Sequence, residues 1–347
     1  MKTFNIQNLI RDNIKKMKPY SSARNEFKDF DKEMIFLDAN ENPNENGVNR
    51  YPDPLQKKVK LALSEIKRVP ENQILLGNGS DEVLDLLFRA FCEPNIDNVI
   101  TLPPTYGMYG VLANLNAIEN REVLLNEMFE PQVDKILAKV DQNTKIIFLC
   151  SPNNPTGNSF ADESIVTLLK NFNGIVVLDE AYVDFSDKES WLQEINDYPN
   201  LVITQTLSKA FGMAGIRLGI LYAATEIITV LNKIKPPYNI NELTQQKALD
   251  RIMNFDIVKF EITNILSEKE VLIKQLLEVG FIQKIYPTDA NFILIKVDDA
   301  NKRYRQILEK DIVIRNRTND ALCENCLRIT IGTTIENKKL IEVLKSL

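Results

Sequence analysis

Lys209 and its neighbours are the side chains best suited to chemistry in this chain. Thr204-Gln205-Thr206-Leu207-Ser208-Lys209 follows the apolar run Leu201-Val202-Ile203 and continues to Gly215-Ile216-Arg217. A protonated lysine is a poor nucleophile. A lysine that is desolvated or held near other cations adds to a carbonyl and forms a Schiff base. Ser208 places a hydroxyl beside it, and Arg217 a guanidinium eight residues on. Together these two can hold a phosphate next to the amine. A lone Ser-Lys pair after a strand reads more readily as surface, so the assignment depends on what accompanies it.

Four further motifs do. Gly77-Asn78-Gly79-Ser80-Asp81-Glu82 lies between an apolar run and an amphipathic stretch. Its glycines admit close backbone approach, and a helix start offers free N–H groups to a phosphate, although Ser80 also suits plain helix capping. Asp81 is an awkward neighbour for a phosphate, so backbone contact over 79–81 is the expected mode. Ser151-Pro152-Asn153-Asn154-Pro155-Thr156-Gly157 follows Ile146–Cys150, and Asn154 can donate to a phenolate oxygen. Gly174–Tyr182 ends an apolar strand in Asp179, with Tyr182 three residues on. A buried carboxylate needs a partner, and a pyridinium nitrogen would be one; a helix cap is the alternative. Tyr182 can reach the ring oxygen. Pro103-Pro104-Thr105-Tyr106-Gly107 offers Tyr106 as a stacking face or as a core aromatic. A Schiff-base lysine, phosphate donors, a pyridinium partner, phenolate donors and a stacking face together match pyridoxal 5'-phosphate (PLP).

Composition narrows the chemistry from the other side. The chain has no histidine, which excludes Ser-His-Asp and Cys-His triads and leaves acid–base work to lysine, tyrosine or carboxylates. Cys323-Glu324-Asn325-Cys326 has zinc half-site spacing but no second pair, so no metal is expected. The net charge of -6 argues against general nucleic-acid binding. No apolar run is long enough to span a bilayer, and the first residues lack the apolar core of a signal peptide. Four cysteines in 347 residues suit a reducing compartment, so a cytoplasmic enzyme is expected.

These motifs must be carried by strand ends. Candidate strands are 73–76, 98–102, 122–125, 145–150, 174–178, 201–204 and 218–222, with helical patterns such as 81–92 between them. That alternation implies a mainly parallel sheet covered on both faces by helices. After about residue 230 the pattern changes to a long helical stretch over 242–279 with one or more interruptions. Strands at 291–297, 312–314 and 327–331 and helices at 301–310 and 335–346 follow. The expected architecture is α/β: a large domain with a mainly parallel mixed sheet, plus a smaller α+β domain.

The joint motif set resembles the fold-type I PLP enzymes of the aspartate aminotransferase superfamily from about Leu37 onward. Further segments are similar to the histidinol-phosphate aminotransferases. They are Pro19–Arg24, Leu37–Pro43, Asn49–Pro54, Arg89–Pro94, Pro103–Tyr109 and Cys326–Thr333. The segment 314–327 follows that family more loosely and brings Asp320 and Glu324 near the expected anion site. The resemblance implies an N-terminal arm with part of the small domain in 1–45, a PLP-binding domain in 46–240 and a small domain in 241–347. It implies Lys209 as catalytic lysine, Asp179 at the ring nitrogen, and Tyr182 and Asn154 at the ring oxygen. The phosphate falls to Gly79, Ser80, Asp81, Ser208 and Arg217, with Tyr51 reaching it across a homodimer interface. Arg328, assisted by Arg315, would bind the substrate anion, with Tyr20 and Asn154 also on the substrate side. The implied reaction moves the amino group of histidinol phosphate to 2-oxoglutarate, giving imidazole acetol phosphate and glutamate, the reverse of the biosynthetic direction. An aromatic amino-acid aminotransferase and a threonine-phosphate-type PLP decarboxylase share much of this motif set.

Overall fold

The structure is a computed structural model, and it describes residues 4–20 and 35–347. The first half builds α1 (Asp12–Lys16), α2 (Lys57–Lys67), β1 (Ile74–Asn78), α3 (Gly79–Phe91), β2 (Asn98–Thr101), α4 (Met108–Leu115), β3 (Glu119–Glu122), α5 (Val133–Ala138), β4 (Thr144–Cys150) and α6 (Asp162–Asn171). β5 (Ile175–Asp179), β6 (Leu201–Thr206), β7 (Leu218–Ala223) and α7 (Thr225–Ile234) complete the large unit. Then come α8 (Glu242–Met253), α9 (Phe255–Leu276), β8 (Ile282–Ile285), β9 (Phe292–Val297), α10 (Ala300–Leu308), β10 (Arg315–Asn316), β11 (Cys326–Thr330) and α11 (Thr334–Ser346).

Seven strands form one sheet in the order β1-β7-β6-β5-β4-β2-β3. β7 runs antiparallel to both β1 and β6, while β6, β5, β4, β2 and β3 pair parallel. The central strands are apolar at nearly every position because both faces are covered. Successive side chains point to opposite faces, so Ile147, Leu149, Val176, Leu178 and Ile203 join one core, and Ile146, Phe148, Ile175, Val177 and Val202 the other. A second sheet, β10-β11-β9-β8, is antiparallel throughout and packs Ile293, Ile295, Leu327 and Ile329 against α9 and α11.

Three local expectations shift. The strand expected over 122–125 is β3 at Glu119–Glu122, a polar edge strand; Val123 and Leu125 are buried beyond its end. Their apolar character reports burial and not strand pairing. The strand expected over 312–314 is β10 at Arg315–Asn316, since Ile314 turns into the core instead of pairing. β8, half-exposed and only four residues long, carried too weak an alternation to be expected. The N-terminal segment was also expected to complete the smaller domain. Among the described residues, Ile6, Ile10 and Ile14 pack instead with Leu87, Phe91 and Leu231 on the large sheet's helical layer. Arg11 N–H donates to Ala90 O at 3.1 Å, and the Arg11 side chain pairs with Glu93.

Candidate active site

The parallel strands deliver their carboxyl ends to one edge of the large sheet, where open α/β sheets bind ligands. β4 ends at Cys150, β5 at Asp179 and β6 at Thr206, just before Ser208-Lys209. β7 runs the other way, so its start lies at this edge and brings Arg217 alongside Ser208. β1 ends here too and leads directly into α3 at Gly79. The smaller sheet supplies the opposite wall through β10 and β11. Between them lies a cavity of about 530 Å³, the size class of a small-molecule site.

Its lining brings together Ser80, Asp81, Tyr106, Asn154, Asp179, Tyr182, Ser208, Lys209, Arg217, Arg315 and Arg328. Gly79 stands immediately behind, its N–H donating to Arg217 O at 2.8 Å. Its φ of +73° and the 2.7 Å separation between an added Cβ and Arg217 Nη2 make glycine necessary there. Arg217 Nη1 donates to Ser208 Oγ at 3.4 Å. A guanidinium, two hydroxyls and the start of the thirteen-residue helix α3 therefore face one end of the cavity. Asp81 lines the same end and accepts from the Tyr106 hydroxyl at 3.0 Å, which ties the Tyr106 ring to α3.

At the other end of this line of groups sits Asp179, 3% exposed. Burial pushes its carboxyl pKa up, while hydrogen bonds from Tyr109 and the Ala181 N–H oppose that shift. The Lys209 amine opens onto the cavity with its Nζ 5.5 Å from the Tyr182 ring centroid. Desolvation and then the positive charge of Arg328 lower its pKa, while Asp179 raises it. A larger fraction of the amine is thus neutral and nucleophilic at a given pH. Burial pushes the Tyr182 phenol up, keeping it a hydrogen-bond donor.

Asn154 links the two walls. Its Oδ1 accepts from Arg328 Nη1, and from Arg317 Nη2 at 3.4 Å. Two cationic donors on the oxygen leave the amide NH2 as the group that faces a ligand acceptor. Arg315 lies directly across the ladder from Arg328, a like-charged pair that is unfavourable without an anion. Arg317 lines the cavity as well and pairs with Asp320 at 3.3 Å. The Nε atoms of Arg317 and Arg328 are buried without a hydrogen-bond partner. Burial and Arg317 both lower the Arg328 pKa. An anion in this corner would relieve both penalties.

Two expected residues lie elsewhere. Tyr51 is half exposed, stacks on Tyr238 with ring centroids 4.5 Å apart, and lines a separate surface hollow with Arg50 and Asn241. Tyr20 is 71% exposed and outside the lining of the cavity. Two residues of the site had no assigned part. Arg317 follows Arg315 by two residues, just beyond β10, and lines the cavity beside it. Tyr109, whose hydroxyl donates to Asp179 Oδ2 at 2.7 Å, gave no signal beyond its place three residues after Tyr106.

Comparison with known proteins gives a consistent result. A model of the family described as aminotransferase class I and II matches residues 23–344. The histidinol-phosphate aminotransferase of Flavobacterium johnsoniae is 70% identical over the full length of both chains. The crystal structure of the histidinol-phosphate aminotransferase from Clostridium acetobutylicum superposes with a TM-score of 0.80 at 25% identity, covering 86% of this chain and 90% of that one. The Sinorhizobium meliloti histidinol-phosphate aminotransferase in complex with pyridoxal-5'-phosphate shares the fold, with a TM-score of 0.76 at 22% identity over 86% of this chain and 83% of that one.

Proposed function

The chain belongs to aminotransferase class I and II, and we propose from that premise that it exchanges an amino group between histidinol phosphate and 2-oxoglutarate, with PLP as cofactor, in histidine biosynthesis. In the biosynthetic direction, glutamate is the donor and imidazole acetol phosphate the acceptor. One observation carries the substrate reading: Arg315, Arg317 and Arg328 converge on the cavity that holds Lys209. A planar guanidinium accepts phosphate or carboxylate through two parallel hydrogen bonds. The same corner therefore suits the phosphate of one substrate and the distal carboxylate of the other in turn.

The residues present fit PLP. Ser80, Ser208, Arg217 and the backbone start of α3 would hold its phosphate, made accessible by Gly79. Asp179 would hold the ring nitrogen, Tyr182 and the Asn154 amide the ring oxygen, and Tyr106 would cover the ring face. When bound, PLP supplies an aldehyde that takes up the amino group and a ring that withdraws electrons from the reacting carbon. The remaining work belongs to the chain. Lys209 Nζ would take up and give back the proton at the amine-bearing carbon of the substrate. Its lowered pKa suits an acid–base group that must work in both directions. Tyr182 and Asn154 would hold the ring oxygen, while the arginines would orient the substrate beside Lys209.

Tyr51 is half exposed and lies outside the lining of its own chain's cavity. That disposition supports a homodimer in which each Tyr51 reaches the partner's PLP phosphate. Tyr20, more exposed still, would close over the substrate. The acidic composition and the lack, among described residues, of any helix long and apolar enough to cross a membrane support a cytoplasmic enzyme without nucleic-acid partners.

Glutamate formation by the PLP-loaded protein tests the reading, with 2-oxoglutarate and either histidinol phosphate or phenylalanine as donor. A kcat/KM much higher for histidinol phosphate is expected. A preference for phenylalanine would move the enzyme to aromatic amino acids, and carbon dioxide release without glutamate would make it a decarboxylase.

A further inference from the structure

Asp179 lines the cavity yet is only 3% exposed, and an isolated carboxylate in such a place reverts to its neutral acid. A neutral acid would make a poor counter-ion for a cationic ring nitrogen. Tyr109 stands directly behind it. The residue lies in the first turn of α4, is fully buried, and donates its hydroxyl to Asp179 Oδ2 at 2.7 Å. The other carboxylate oxygen, Oδ1, accepts the Ala181 N–H at 3.2 Å. The tyrosine ring is wedged on two sides. Phe148 stacks on it with centroids 4.8 Å apart, and Tyr106 meets it edge-on at 5.5 Å. A ring held this way has no second rotamer to occupy, so packing decides where the hydroxyl sits.

We propose that Tyr109 is a positioning residue, holding one oxygen of Asp179 so that the carboxylate keeps its charge and a fixed orientation toward the ring nitrogen of PLP. The inference rests on the PLP reading of the cavity. Physically, a hydrogen bond donated to a carboxylate favours the charged form. The phenol is the donor at every working pH because burial and the neighbouring Asp179 charge hold its own proton on. Asp81 on α3, Cys150 at the end of β4, Tyr182 beyond β5 and Lys209 beyond β6 also face Asp179. The Asp81 charge opposes ionisation, and Lys209 assists it when protonated. Lys209 must give up its proton during turnover, whereas Tyr109 need not. Supporting partners of this kind set the geometry and basicity of the group that touches the cofactor.

The test is the affinity of the apoprotein for PLP by equilibrium dialysis. Tyr109→Phe keeps the ring packing and removes only the hydroxyl; it should weaken binding about tenfold, the order of one hydrogen bond to a charged group. In an Asp179→Ala background the same substitution should change Kd by less than about twofold, because the coupling runs through Asp179. Wild-type affinity in Tyr109→Phe overturns the proposal. So does an equal tenfold loss in the Asp179→Ala background, which would mark Tyr109 as packing only. If Tyr109→Phe fails to fold, 3-fluorotyrosine at position 109 keeps the hydroxyl and makes it a stronger donor. It should tighten PLP, and unchanged or weaker affinity would overturn the idea. Wild-type apoprotein that does not bind PLP defeats the cofactor reading and this inference together. Wild-type binding that is matched by Tyr109→Phe defeats this inference alone.

Discussion

Arg328 shows how one side chain is held ready for a ligand. Its Nη1 is bonded to Asn154, its Nε is buried without a partner, and Arg315 and Arg317 crowd it with like charge. A folded protein keeps such an arrangement at a cost, and an anionic substrate offsets it. Arg328→Ala should therefore weaken both the phosphorylated amine and the 2-oxo acid, by about 1.5–3 kcal/mol for each lost charged hydrogen bond. Steady-state KM values for the two substrates measure this directly. If neither moves, the anion site lies elsewhere. Asp320, in the looser segment 314–327, forms an ion pair with Arg317 at 3.3 Å, and its charge also acts on Arg328 against the effect of burial.

At the scale of elements, α2 and the end of α7 bury two lysines away from the cavity. Lys60 is 7% and Lys235 9% exposed. Burial lowers each pKa to about 8, and for Lys60 the charge of Lys235 adds to the effect. Lys235 is compensated by the carbonyl of Pro54 and by Asn239 Oδ1. In the unfolded chain both lysines return to about 10.4. Between those values the unfolded state binds more protons, so stability must rise as pH climbs from about 8 to about 10.4. Below pH 8 the folded state carries the penalty in full, up to about 3 kcal/mol for each lysine. Denaturant titrations across that window should show the rise in the wild type. Lys60→Met should be more stable at neutral pH and show a flatter rise. A wild-type stability that is constant or falls over this range would contradict the buried charge pair.

At the scale of the whole molecule, the cavity lies between the strand ends of the large sheet and Arg315 and Arg328 of the smaller one, so it belongs to neither unit alone. The Gly157 carbonyl accepts from the Asp289 N–H at 2.8 Å and the Ser159 N–H donates to Asp289 at 3.1 Å, fastening the Asn154 turn to the smaller unit. Tyr51 extends the argument to a second copy. Mixed Lys209→Ala and Tyr51→Ala chains should form hybrids in which one of the two sites has both residues intact, restoring up to about a quarter of wild-type sites. Activity measured after subunit exchange checks this. No recovery, with exchange demonstrated and each variant impaired alone, would place Tyr51 in its own chain's chemistry or in none.

Much of this was legible along the chain because local rules govern it. Short apolar, β-branched runs bounded by Gly, Pro, Asn or Asp marked seven large-sheet strands, and six of them lie within a residue or two of their expected bounds. Each motif sits at a strand end, where chemistry in an open α/β sheet is carried. Lys209, Asp179, Asn154 and Arg217 could be singled out because their residue types have no purely structural reason to recur in that order. What the chain could not disclose depends on distances between remote elements. Only the packing of α4 beside α3 and β2 brings the Tyr109 hydroxyl to Asp179, seventy residues away in sequence. Only the antiparallel pairing of β10 with β11 sets Arg315 opposite Arg328 and turns Arg317 inward with them. A side chain's type is local, but its partner is decided by which surfaces close against each other.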